Sequence, residues 1–116
     1  MLEIKNFSKE YSKGKKAVDN ISLTVNSGEI FGFIGHNGAG KTTTIKSIVG
    51  ILEFSEGDIL IDSKSIKKNA IECKKVMAYI PDNPDLYEAL TGIQYLSFIA
   101  DIYKISKEQR EKFIKY

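Results

Sequence analysis

Cysteine occurs once in this chain, at Cys73, so neither a disulfide framework nor a thiolate metal site can be assembled within it. Long apolar runs are absent as well: none approaches the ~18 residues of a membrane span. The start, Met1-Leu2-Glu3-Ile4-Lys5-Asn6-Phe7, alternates apolar and polar residues and lacks the apolar core of a signal peptide. A cytoplasmic address fits these absences. Charge of one sign does not dominate: 17 basic residues are offset by 15 acidic ones, for a net charge of +2. That balance argues against a dedicated nucleic-acid binder. The small cluster of Lys13, Lys15 and Lys16 around Gly14 reads as a solvated loop. The length, 116 residues, suffices for one modest core and is too short for two domains.

Against this spare background one stretch stands out: Gly35-His36-Asn37-Gly38-Ala39-Gly40-Lys41-Thr42. It fits Gly-x-x-x-x-Gly-Lys-[Ser/Thr], the phosphate-binding loop. An apolar, β-rich run, Ile30-Phe31-Gly32-Phe33-Ile34, precedes it and a helical pattern follows, the strand, loop and helix order that phosphate binding needs. A triphosphate must be met by inward-pointing backbone N–H groups, and Gly35, Gly38 and Gly40 remove the Cβ atoms that would obstruct them. A helix starting near Gly40 adds unsatisfied N–H groups and a positive dipole end. Lys41 brings a mobile charge for the β- and γ-phosphates, and Thr42 a hydroxyl for Mg²⁺. His36 falls on a position the motif leaves free, so the backbone there belongs to the loop and the side chain has no assigned role. By chance alone such an octapeptide turns up in roughly one chain of this length in a few hundred.

The rest of the chain surrounds this loop. Leu2, Ile4 and Phe7 alternate as one face of a strand, and Ser8 to Lys16 is expected to be a polar turn carrying Tyr11. On its own Tyr11 is either edge packing or a flat surface for a purine base, whose stacking contributes ~1–3 kcal/mol. Ile21, Leu23 and Val25 mark a second half-buried strand, and Asn26-Ser27-Gly28 a tight turn into the run 30–34, which reads as a strand buried on both faces. Ile45, Ile48, Val49 and Leu52 follow helical spacing, with Thr43 and Thr44 in the first turn, where a hydroxyl can face an anion.

Asp58-Ile59-Leu60-Ile61 predicts a third antiparallel strand, Asn69 to Lys75 a short helix, and Val76-Met77-Ala78-Tyr79-Ile80 a strand ended by Pro81. Pro81 to Asp85 is a rigid polar loop. Two capping boxes, Thr91-Gly92-Ile93-Gln94 and Ser106-Lys107-Glu108-Gln109, open helices; the first carries Ile93, Leu96, Ala100 and Tyr103 on one side. The second has a start signal, with Phe113 and Ile114 on a face, and no stop signal before Tyr116, which suggests a truncated chain. No apolar strand after the loop's helix ends in an acidic residue except Ile59-Leu60-Ile61-Asp62, which reads as part of the antiparallel layer. A complete P-loop hydrolase needs such a carboxylate to hold Mg²⁺ and orient water.

The order of these parts resembles the N-terminal half of the ATP-binding-cassette (ABC) family of transporter ATPases. The resemblance rests on Tyr11, Ala17-Val18-Asp19-Asn20-Ile21-Ser22-Leu23, Gly28-Glu29-Ile30-Phe31-Gly32, the loop with Thr43-Thr44, and Tyr79-Ile80-Pro81. The stretch Leu86-Tyr87-Glu88-Ala89-Leu90-Thr91 looks like the bacterial exporter branch that handles drugs, antibiotics or related apolar compounds. The resemblance implies an α/β fold: a P-loop NTPase core with part of a mainly parallel sheet, an N-terminal antiparallel β subdomain, and the start of a helical subdomain. Residues 1–116 would be one incomplete nucleotide-binding domain, with 1–90 the β layer and core and 91–116 the helical start.

It further implies that Tyr11 is the adenine platform and that Val18, otherwise a strand-edge core residue, lines the base. Gly35, His36, Asn37, Gly38, Ala39, Gly40, Lys41, Thr42 and Thr43 would hold ATP, with Lys41 the catalytic charge and Thr42 on Mg²⁺. Asp82 stands where the family has Gln; it is either a second Mg²⁺ ligand or a solvated loop aspartate, and when ionised it cannot donate a hydrogen bond. The implied partners are a transmembrane permease, touched by the loop from Asp82 to Thr91 through Leu86 and Tyr87, and a second cassette arranged head to tail. The implied location is the inner face of the membrane. Two other readings stay open on the residues: a soluble ABC ATPase acting on the ribosome or DNA, and a nucleotide-binding module that never hydrolyses.

Overall fold

The computed structural model describes residues 1–12, 14–83, 85 and 87–113. Sequence readings that fall on Lys13, Pro84, Leu86, Ile114 and Tyr116 lie outside the described residues. The elements are β1 (Leu2–Ser12), β2 (Lys15–Val25), α1 (Lys41–Ile48), β3 (Glu56–Ile61), β4 (Lys64–Ser65), α2 (Ala70–Lys74), α3 (Gly92–Ile102) and α4 (Lys107–Phe113). They fall into two compact units, Met1–Tyr79 and Ile80–Tyr116.

The first unit is built on an antiparallel sheet in the order β2-β1-β3-β4. The alternation of Leu2, Ile4 and Phe7 does define its inner face, and Ile4, Phe7, Val18, Ile59, Ile61, Ile66 and Cys73 form the core. Phe7 is 0% exposed and meets Phe54 edge-on, centroids 5.0 Å apart. α1 and α2 form near the expected places, but α1 ends at Ile48 with Val49 as its C-cap, so Leu52 of the expected apolar stripe falls outside it.

The polar turn expected from Ser8 to Lys16 is corrected: β1 runs on through Ser12 and β2 begins at Lys15. Polar side chains here do the work of the ladder. Asn6 and Asn20 adopt left-handed backbone, φ 47° and 50°, at shifts of strand register. Ser22 Oγ accepts from Asn6 N and the buried Ser8 Oγ accepts from Asn20 N, each at 2.9 Å. A run that looked too polar for a strand thus satisfies its own backbone. Gly57 answers the same bulge from β3: at φ 80°, a Cβ there would lie 2.4 Å from the Asn6 carbonyl oxygen.

A second correction concerns the two strands expected at 30–34 and 76–80. Neither forms. Ile30 and Ile34 are 103% and 95% exposed, and Val76 and Ile80 are exposed as well. Apolar, β-branched composition favours a strand only where neighbours take up its N–H and C=O groups. No such neighbour exists among the described residues.

In the second unit both capping boxes are present. Thr91 N donates to Gln94 Oε1 at 2.8 Å and Gln94 N to Thr91 Oγ1 at 3.3 Å; Ser106 and Gln109 exchange the same pair of bonds. Arg110 ties α4 back to α3 through Asp101 Oδ1 at 2.6 Å. Of the side chains expected on one side of α3, Ala100 is buried while Ile93, Leu96 and Tyr103 are exposed. Tyr87 packs against Tyr95 and, edge-on, against Phe98.

Candidate functional site

Gly35 to Lys41 curls into a loop that ends in α1. Ala39 N donates to the His36 carbonyl at 3.1 Å, closing the turn, and Gly38 and Gly40 sit at φ 86° and 87°. Gly40 has no room for a side chain: a Cβ would meet Ala17 O at 2.4 Å and Val18 Cγ2 at 2.9 Å. The loop is thereby seated against β2. Lys41 folds back over the loop, its Nζ donating to the Gly35 carbonyl and, at 2.7 Å, to the His36 carbonyl. Its ammonium is therefore held at the mouth of the glycine turn. The His36 ring stays local, its Nδ1 2.9 Å from the Asn37 carbonyl oxygen.

Gly40 caps α1 without a side-chain hydrogen bond, and the first turn of the helix contains no acidic residue. Its backbone N–H groups and dipole are therefore not neutralised by a carboxylate of that turn. Thr42 is exposed and Thr43 half-buried, whereas Thr44 is buried with its hydroxyl spent on the Gly40 carbonyl at 2.9 Å. Of the three threonines, Thr42 and Thr43 are those whose hydroxyls are not bonded back to the helix backbone among the described residues.

Tyr11 comes to this helix from the far end of β1. It is 61% exposed, and its phenol oxygen lies 3.1 Å from Thr43 Oγ1. Val18 is 3% exposed, a member of the core packed on Gly40. The first unit thus brings Tyr11, Val18 and residues 35–43 together, with Tyr11 presenting open aromatic surface and Val18 shaping the wall behind the loop. Asp82 is exposed and belongs to the second unit.

Sequence reasoning missed Lys9. Its Nζ donates to the Glu53 carbonyl at 2.5 Å and stands 5.4 Å from the Tyr11 ring centroid, a cation–π contact. The spacing of 9 and 11, two apart on one strand, was the available signal.

The chemistry of this donor set fits a nucleoside triphosphate with Mg²⁺. Unneutralised N–H groups and the Lys41 ammonium suit phosphate oxygens, a free hydroxyl suits the metal, and an exposed aromatic ring suits a base.

Loop, helix and antiparallel layer define the class, the nucleotide-binding part of a P-loop fold. The chain belongs to the ABC transporter family, whose model matches residues 18–115. It is 40% identical over 116 residues to the uncharacterized ABC transporter ATP-binding protein YhcH of Bacillus subtilis, covering 99% of this chain and 38% of that protein. It is 40% identical over 113 residues to the lipopolysaccharide export system ATP-binding protein LptB of Escherichia coli, covering 95% of this chain and 46% of that one. A solved ATP-binding subunit of an ABC transporter superposes with a TM-score of 0.87 at 36% identity, over 96% of this chain and 46% of the other. The chain therefore spans less than half the length of these relatives. As in them, the fold is α/β, here with an antiparallel sheet and helices as part of an ABC ATPase domain. Among the described residues no helix is long and apolar enough to cross a membrane.

Proposed function

We propose that this chain is the ATP-binding first part of an ABC transporter ATPase subunit, residues 91–116 being the start of its helical subdomain. The observation that carries the reading is the convergence of a glycine loop, a lysine folded over it and an exposed tyrosine on the first turn of one helix. Bound MgATP would supply the phosphoanhydride whose cleavage drives the cycle. Toward it, the N–H groups of residues 35–43 and the Lys41 ammonium bind and balance the phosphate charge, and would hold developing charge during hydrolysis. Thr42 offers its hydroxyl to Mg²⁺; Asp82 is the candidate second metal ligand. Tyr11 orients the base, with Val18 behind it.

On this reading hydrolysis belongs to the intact protein, paired head to tail with a second cassette and docked on a transmembrane permease at the inner face of the membrane. The 116-residue chain alone binds without turning over. The exposed apolar runs at 30–34 and 76–80 are where the intact cassette would complete its sheet, and the loop from Asp82 to Thr91 would touch the permease. Kinship with a lipopolysaccharide-export cassette supports an exporter.

Calorimetry of MgATP binding to this chain tests the reading. Saturable binding is expected, with Lys41→Ala weakening it tenfold or more, in line with the roughly 1.5–3 kcal/mol of a hydrogen bond to a charged group. Absence of saturable binding by a chain folded by circular dichroism would sink it.

A further inference from the structure

A stacking platform has no use for a phenol oxygen, because phenylalanine offers the same π face. Yet the hydroxyl of Tyr11 has a definite partner, Thr43 Oγ1 at 3.1 Å, 32 residues away in sequence. The ring is held at a second point by Lys9, whose ammonium is anchored on the Glu53 carbonyl. A residue so exposed has little to gain in core stability from that bond. Its effect falls on Thr43.

Thr43 lies in the first turn of α1, next to Thr42 and three residues after the loop's last glycine, Gly40. A threonine hydroxyl has one proton to give and two lone pairs to receive with. Phosphate oxygens only accept. When Thr43 gives its proton to a phosphate oxygen, the bond between the two hydroxyls has a single allowed direction, with Tyr11 donating and Thr43 accepting. That donation holds the Thr43 rotor and polarises its O–H, strengthening the onward bond.

We infer that Tyr11 is a positioning residue for the phosphate end of the site, aiming the Thr43 hydroxyl as well as carrying the base. The inference rests on the nucleotide-binding reading above and deepens it: aromatic platform and phosphate loop are linked by a hydroxyl relay. The ligands that feel the relay are triphosphates with or without a base.

The test is calorimetry on the 116-residue chain with two probes, MgATP and magnesium tripolyphosphate, which has no base to stack. Tyr11→Phe keeps the ring and removes the relay; it should weaken both probes by about two- to tenfold, the span of one net hydrogen bond. Thr43→Val should weaken both at least as much, and the double variant no more than Thr43→Val alone, because the two act through one bond. Tyr11→Ala should add a further loss for MgATP only. If Tyr11→Phe leaves tripolyphosphate affinity unchanged, or the two losses add in full, the inference is overturned and Tyr11 serves the base alone. Should Thr43→Val misfold by circular dichroism, the response of tripolyphosphate to Tyr11→Phe decides by itself. Failure of the unsubstituted chain to bind either probe overturns the nucleotide reading, and the inference with it.

Discussion

Two stretches of this chain, each carrying two isoleucines, have opposite fates. In β3, Ile59 is completely buried, in one core cluster with Ile4 and Phe7 of β1. In the run before the loop, Ile30 and Ile34 stand in solvent with no strand partner among the described residues. The second is the more hydrophobic segment, since β3 also carries Glu56 and Asp58. Burial is thus a property of what lies alongside: β3 has β1 on one edge and β4 on the other.

Substitutions can break this contrast. The largest effect is expected in the packed half: Phe7→Ala removes the ring stacked edge-on against Phe54 and should cost about 3–5 kcal/mol, read by urea unfolding. That is a large share of the roughly 5–15 kcal/mol available to an ordinary domain. Gly40→Ala comes next. It forces a left-handed residue with a side chain against Ala17 O, so a loss of about 1–2 kcal/mol and of MgATP affinity is expected, measured by unfolding and calorimetry on one sample. At the bare run, Ile30→Thr and Ile34→Thr should stay within about 0.5 kcal/mol of the parent; a destabilisation as large as that of a core residue would show that this segment is packed after all.

The smallest effect is electrostatic. Glu72 sits beside the Lys75 ammonium, which holds its carboxyl below the usual range, and Glu29 is held low by hydrogen bonds from Asn26. A carboxyl depressed in the folded state contributes stability above its unfolded value, about 4.3, and loses it as pH falls through the folded value. The melting temperature should therefore be level from pH 7 to about 5 in respect of these groups and decline below about 4. Glu72→Gln should reduce that acid-limb decline slightly, since both groups are exposed and screened.

Much of the site was legible in advance because it is local. The glycine loop, its lysine and the threonines after it are contiguous, and the need for backbone N–H groups without Cβ atoms can be read directly from Gly35, Gly38 and Gly40. The capping boxes at Thr91 and Ser106 were legible for the same reason: three residues of spacing contain the whole hydrogen-bond pattern. The extension of β1 to Ser12 was not, because it depends on Ser8 and Asn20 meeting across a hairpin. Lys9 over Tyr11, and Tyr11 against Thr43, were hidden likewise.

The sequence by itself determined the short-range features: the loop, the helix starts, the alternation that gives β1 and β3 an inner face, and the absence of any internal disulfide. Tertiary structure alone decided which apolar runs become strands, that Val18 would face the core and Tyr11 the solvent, and that the tyrosine would touch the phosphate-loop helix. The physical reason is that hydrogen bonds within a few residues are fixed by spacing, whereas burial and sheet pairing depend on partners the chain brings together only by folding.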